Sequence, residues 1–159
     1  MRERFLSTDG KNRFFMSPDK SLKIYAPDSH TSSDIPLAES SVHAGFPSPA
    51  DDFLEGSLDL NSLVIKHPEA TFFARVEGDS MQDEGIAEGD ILVVDKAIEP
   101  FDGCLAVAYV EGEFTLKRVR MEPDRILLVP ANPKYPVIEI VAGQDFAVWG
   151  VVRWIIKQV

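Results

Sequence analysis

The sequence predicts a mostly-β protein: a domain of twisted, partly closed β-sheet with an N-terminal arm of different character. Three observations support this. After Pro68 the chain falls into short apolar runs separated by turns. No long amphipathic helical pattern follows residue 70. Residues 26–52, "APDSHTSSDIPLAESSVHAGFPSPADD", are rich in Ser, Pro, Asp and Ala with little apolar periodicity, which suits an extended, mobile arm. At 159 residues, one domain plus an extension is the natural division.

The elements follow in order. Residues 1–25 carry scattered aromatics (Phe5, Phe14, Phe15, Tyr25) that allow a hairpin and specify nothing further. In "DDFLEGSLDLNSLVIKHP", Asp59 is placed to cap a short helix over Leu60–Ile65, which Pro68 then ends. Strands are expected at Thr71–Val76, Asp90–Val94, Leu105–Val110, Glu113–Met121, Arg125–Pro130, Val137–Val141 and Phe146–Ile156. "VEGEF" at 110–114 is a tight hairpin, with Gly112 free to take positive φ.

Composition excludes several classes. No run of about 18 apolar residues is present, so no membrane span is expected. The N-terminus lacks the apolar core of a secretion signal. The single cysteine, Cys104, cannot form an internal disulfide and reads as a small core residue, which fits a reducing, cytoplasmic setting. The net charge of −10 lies wholly in residues 45–159, with ten Lys/Arg against twenty Asp/Glu. Such a surface disfavours sequence-independent binding to phosphate backbones.

One stretch, "VEGDSMQDEG" at 76–85, interrupts the pattern by delivering a serine at the end of a strand. A serine hydroxyl needs a base to become a nucleophile. The three histidines (His30, His43, His67) lie in no segment that reads as a rigid element. A lysine serves if it is neutral, and burial lowers its ordinary pKa of about 10.4 by up to roughly 3–5 units. Lys117 in "GEFTLKRVRM" is the candidate. Strand alternation sets Thr115, Lys117 and Val119 on one face and turns Arg118 and Arg120 to the other. Taken alone, Lys117 also reads as a solvated strand residue and Ser80 as a turn residue.

Four motifs in order resolve this. "GDSM" at 78–81 resembles the nucleophile turn of the LexA/UmuD family of self-cleaving serine–lysine peptidases. "EFTLKR" at 113–118 resembles its lysine strand, with the lysine 37 residues beyond the serine. "AGFPSPADD" at 44–52 resembles its cleavage segment, and "FAVWGVVRWIIK" at 146–157 its closing strand. The resemblance covers about residues 44–159 and implies the LexA/signal-peptidase-like fold. It implies that Ser80 is the nucleophile and Lys117 the general base and then acid. The backbone N–H groups of Ser80 and Asp79 would stabilise the oxyanion, and Ala44–Gly45 would be the scissile bond. Asp79 reads as a turn-former and Met81 as packing. Val42 would anchor an extended cleavage segment, and His43 would leave with the cleaved piece.

The resemblance further implies a division into an arm, 1–44, removed by self-cleavage, and a peptidase domain, 45–159. It implies promotion by a RecA–single-stranded DNA filament, a homodimer, and a UmuC-like polymerase chain as partner in translesion synthesis. It calls for no cofactor and no metal. Residues 1–44 show no helix–turn–helix pattern, so direct sequence-specific DNA binding is not expected. The rival readings are a non-catalytic dimeric polymerase accessory and a LexA-type repressor.

Overall fold

The computed structural model describes residues 23–26, 34–36 and 57–159. Its main body is one antiparallel sheet of eight strands, in the order β1-β4-β5-β10-β6-β7-β8-β9. These are β1 (Lys23–Tyr25), β4 (Thr71–Arg75), β5 (Ile91–Asp95), β6 (Leu105–Val110), β7 (Glu113–Met121), β8 (Ile126–Val129), β9 (Ile138–Ile140) and β10 (Phe146–Ile156). A second, two-stranded sheet pairs β2 (Asp34–Pro36) with β3 (Ser57–Asp59). The mostly-β expectation holds. Each strand expected after Pro68 occurs, with bounds within one residue of the sequence reading.

The long strand β10 joins the two halves of the sheet. Its first part, Phe146–Val151, pairs with β6, and its second, Val151–Ile156, pairs with β5. Register shifts between Val148 and Gly150 and between Val152 and Trp154 bend it from one partner to the other. Gly150 sits in that bend because nothing larger fits: an added Cβ would lie 2.6 Å from Val94 Cγ1. The sheet buries apolar side chains on both faces. One cluster gathers Leu92, Val94, Val107, Leu116 and Met81, and the other Cys104, Ala106, Val119, Leu128 and Val151. Cys104 is therefore a buried, free core thiol.

The hairpin between β6 and β7 is a two-residue loop, since Val110 pairs with Glu113. Both loop residues take positive φ, Glu111 at 47° and Gly112 at 93°. That is the twist-matched hairpin geometry, and only Gly112 takes it without strain. Glu111 is held there by two bonds to the start of β10: its N–H donates to Asp145 O at 2.8 Å and its Oε1 accepts from Asp145 N at 3.1 Å.

Asp59 caps α1 (Leu60–Val64) by accepting from the N–H groups of Asn61 and Ser62. The helix stops one residue earlier than expected, at Val64, where Ile65 turns extended and buries its side chain. Pro68 does not end it but opens the next element, a 3-10 turn over Pro68–Ala70, where its missing N–H costs nothing.

Two pieces of the N-terminal region are strands. Lys23–Tyr25 pairs along β4, with Ile24 opposite Ala74 and buried in the core. Asp34–Pro36 pairs along β3. The local sequence gives no alternation over three residues, so partner strands decide these elements.

Candidate active site

After β4, Val76 is tied to the strand that follows: its N–H donates to Asp90 O and its O accepts from Gly89 N, both at 2.9 Å. Gly78, at φ 84°, then turns the chain and presents Asp79 and Ser80. Gln82 N–H closes the turn onto Asp79 O at 3.2 Å, and Met81 plugs into the core at 2 % exposure. The turn is thus anchored by its fourth residue while Ser80 stays at the surface of a cleft.

Lys117 comes from the middle of β7, opposite Ala106 of β6. It is 5 % exposed, and its Nζ lies 2.9 Å from Ser80 Oγ, 2.8 Å from Thr115 Oγ1 and 3.0 Å from Leu116 O. Burial pushes its pKa down to about 8. Three acceptors, Ser80 Oγ, Thr115 Oγ1 and Leu116 O, surround the amine. In the amine's neutral form, with two N–H donors and one lone pair, Leu116 O and Thr115 Oγ1 can take the donors and leave the lone pair to face the Ser80 hydroxyl. The arginines stay away: Arg118 donates to Gly103 O at 2.9 Å and pairs with Glu84, on the face opposite the lysine.

Asp79 does not share in this contact. Its Oδ1 accepts from Tyr135 Oη at 2.5 Å and its Oδ2 lies 3.9 Å from Lys134 Nζ. The Tyr135 hydroxyl holds the carboxyl below its usual range, with Lys134 and the backbone of Asp79 itself adding to the effect. Among the described residues, no acceptor meets the Ser80 N–H.

The cleft around the pair has a volume of about 640 Å³, and Val76, Phe114, Tyr135 and Ile138 form its apolar walls. Phe114 is braced by Trp149 and Tyr109, ring centroids 5.7 and 5.6 Å away. One wall is a strand edge that is open among the described residues. β8 pairs with β7 only over Arg118–Met121, so among the described residues Glu113–Lys117 has a partner strand on the β6 side alone. Val119 bonds toward Cys104 and Gly103, which by alternation turns the N–H and C=O groups of Phe114 and Leu116 to the open side. Lys117 Nζ taking Leu116 O agrees with that parity.

Of the residues singled out from sequence, Ser80, Lys117 and Asp79 therefore meet in one cleft. Val42, His43, Ala44 and Gly45 lie outside the described residues, as does His30. His67 is bound to buried Asp95, Nδ1 to Oδ2 at 2.6 Å, and takes no part in the cleft lining. Among the described residues no group of three or more His, Cys, Asp or Glu is arranged to hold a metal, and no helix is long and apolar enough to cross a membrane.

Sequence reasoning placed Thr115 on the face of Lys117 without giving it a role, and it missed two further neighbours of the pair, Tyr135 and Asn132. Asn132 Nδ2 donates to Asp79 O at 2.8 Å from the loop after β8. Thr115 lies two residues from Lys117 on the same face of the strand, as alternation predicts. Asn132 and Tyr135 belong to a Pro-rich loop, "PANPKYP", that reads locally as turn chemistry only.

Comparison with known proteins agrees with this architecture. The family described as peptidase S24-like matches residues 36–153. Protein SamA of Salmonella typhimurium is 45 % identical over 132 residues, 82 % of this chain and 91 % of that protein. Protein MucA of Escherichia coli is 41 % identical over 119 residues, covering 74 % and 81 % of the two chains. The LexA repressor of Xylella fastidiosa is 40 % identical over 109 residues, 69 % of this chain and 51 % of the repressor. On the extent of that match and the identity to SamA and MucA, the chain belongs to the peptidase S24-like family and, within it, to the LexA/UmuD group.

Proposed function

We propose that this protein is a self-cleaving serine peptidase of the SOS mutagenesis type, which cuts its own Ala44–Gly45 bond. The observation that carries the reading is the 2.9 Å contact between Ser80 Oγ and a buried lysine amine whose pKa is about 8. Near neutrality a usable fraction of such an amine is unprotonated, where an exposed lysine offers almost none.

Within the cycle the lysine takes each proton and hands it on. Ser80 Oγ attacks the Ala44 carbonyl carbon as Lys117 Nζ takes its proton. The oxyanion is held by the backbone N–H of Ser80 together with that of Asp79. Collapse breaks the Ala44–Gly45 C–N bond, and the lysine ammonium returns the proton to the Gly45 amine. Water, deprotonated by the same lysine, adds to the acyl carbon; collapse breaks the ester C–Oγ bond as the lysine ammonium returns the proton to Ser80 Oγ, and the freed Ala44 carboxylic acid ionises to solvent. The open edge of β7 supports an extended substrate, which would add as a strand beside Phe114 and Leu116. Glu77, Glu111 and Glu113 at the cleft make it a poor receptor for a phosphate backbone and suit a peptide.

Membership of the LexA/UmuD group and identity to SamA and MucA support the wider reading. Residues 1–44 are the segment removed and 45–159 the product domain, cytoplasmic and homodimeric. A RecA–single-stranded DNA filament promotes the cut, and the product joins a UmuC-like polymerase chain in translesion synthesis. The test is intact mass after incubation at pH about 10, above the Lys117 value. A wild-type product beginning at Gly45, absent from Ser80→Ala, is expected. No product at high pH, and none with RecA, ATP and single-stranded DNA, would turn the reading to a non-catalytic accessory subunit.

A further inference from the structure

The loop between β8 and β9 is hydrogen-bonded to the nucleophile turn through Ala131, Asn132 and Tyr135. Ala131 N–H donates to Ser80 O and Ala131 O accepts from Asp83 N, both at 2.8 Å. Asn132 is 3 % exposed, and its Nδ2 donates to Asp79 O at 2.8 Å. The orientation of its amide is fixed by chemistry. Oδ1 accepts from Lys134 N at 3.0 Å, a donor that cannot accept, and Asp79 O is an acceptor that cannot donate. Asn132-Pro133-Lys134-Tyr135 is itself a closed turn, Tyr135 N to Asn132 O at 3.1 Å, with proline where φ near −65° is wanted. Pro130 and Pro136 flank it.

The bond to Asp79 O acts on more than that carbonyl. Asp79 C=O and Ser80 N–H are two ends of one planar peptide unit, and no described peptide bond is cis. Holding the oxygen from one side therefore aims the Ser80 N–H to the other. Without Asn132 the oxygen keeps only the 3.2 Å bond from Gln82 N.

We infer that Asn132 is a positioning residue for the oxyanion donor: by gripping Asp79 O it fixes the plane of the Asp79–Ser80 peptide, so that the Ser80 N–H meets the developing charge. The inference rests on the peptidase reading above. It separates two supports of the site, since Lys117 is carried by β7 while the oxyanion donor, on the turn after β4, is held by the loop after β8.

The test follows self-cleavage of the full chain against pH in wild type, Ser80→Ala and Asn132→Ala. Two competing peptides of residues 38–44 are added in parallel, one ending in a boronic acid and one in an amide. The boronate, once Ser80 adds to it, places an oxygen where the oxyanion forms, whereas the amide reports ground-state binding. In Asn132→Ala the plateau rate is expected to fall on the order of 100-fold, as for a misplaced catalytic group. The pH midpoint should stay in place. The boronate should lose its advantage over the amide while the amide inhibits as before. An unchanged plateau, a moved midpoint, or equal weakening of both peptides would each overturn the inference. A wild-type chain that fails to cleave overturns the peptidase reading and this one with it. Should Asn132→Ala not fold, Asn132→Ser retains an acceptor for the Lys134 N–H but does not reach Asp79 O, and is judged by the same criteria.

Discussion

In the proposed mechanism Lys117 is the base, and its burial carries a cost to stability. Its pKa falls from 10.5 unfolded to about 8 folded, so between those values the unfolded chain binds more protons. Stability contributed by this group therefore rises with pH across that window and is lowest below pH about 8. A fall from 10.5 to about 8 corresponds to a penalty on the order of 3 kcal/mol at neutral pH. Lys117→Met is expected to abolish cleavage and raise stability at pH 7 by roughly 1–3 kcal/mol, with the gain shrinking toward pH 10. Denaturant melts of both proteins at the two pH values check this. Lys117→Arg should also be inactive, because a guanidinium keeps its proton. Wild-type cleavage should climb through pH about 8 and then level; a flat profile from neutral to pH 10 would remove Lys117 as the base. Thr115→Val leaves one amine N–H without its acceptor and is expected to cost about tenfold in rate, read from the same profiles.

The strands of the domain were readable element by element, because alternation and turn residues bound each of them. The Glu113–Met121 strand even gave the facing of Lys117, since period two leaves one choice. What was not readable is non-local. Nothing near Lys23–Tyr25 announces pairing with Thr71–Arg75, and nothing near Asn132 announces a bond to Asp79 across 53 residues. Ser80 and Lys117 were paired from sequence only through resemblance to a family, as each alone is ordinary. Glycine roles divide along the same line. Gly112 was legible as a hairpin residue, whereas Gly150 is required by Val94 of a neighbouring strand. Gly150→Ala should cost about 1–3 kcal/mol, because Val94 and the β10 backbone must both give way. Thermal unfolding measures it, and a neutral result would show that the bend in β10 relaxes freely.

At the scale of the molecule, the end of β10 is conspicuous. β6 stops pairing at Val151, so among the described residues Val152–Ile156 is bonded to β5 alone. Trp154, Ile155 and Ile156 are 42, 40 and 49 % exposed there. An open edge with three large apolar side chains supports the proposed homodimer. Ile156→Glu is expected to shift sedimentation toward monomer, and an unchanged profile would place the contact elsewhere. The charge of −10 adds mutual repulsion between copies, so added salt should favour association.

The two short ladders at the N-terminal side have a further consequence. β1 and β2 precede residue 44 in the chain, while their partners β4 and β3 follow residue 45. In the intact chain each ladder closes a loop, and its strands meet at the high effective concentration that a tether provides. The proposed cut at 44–45 would remove the tether without touching either ladder. The arm would then be a ligand, held among the described residues by two three-residue ladders and the buried side chain of Ile24. On that reading cutting and departure would be separate events, with dilution governing the second. Size exclusion of freshly cleaved protein should show the 1–44 piece travelling with the domain when concentrated and leaving it when dilute.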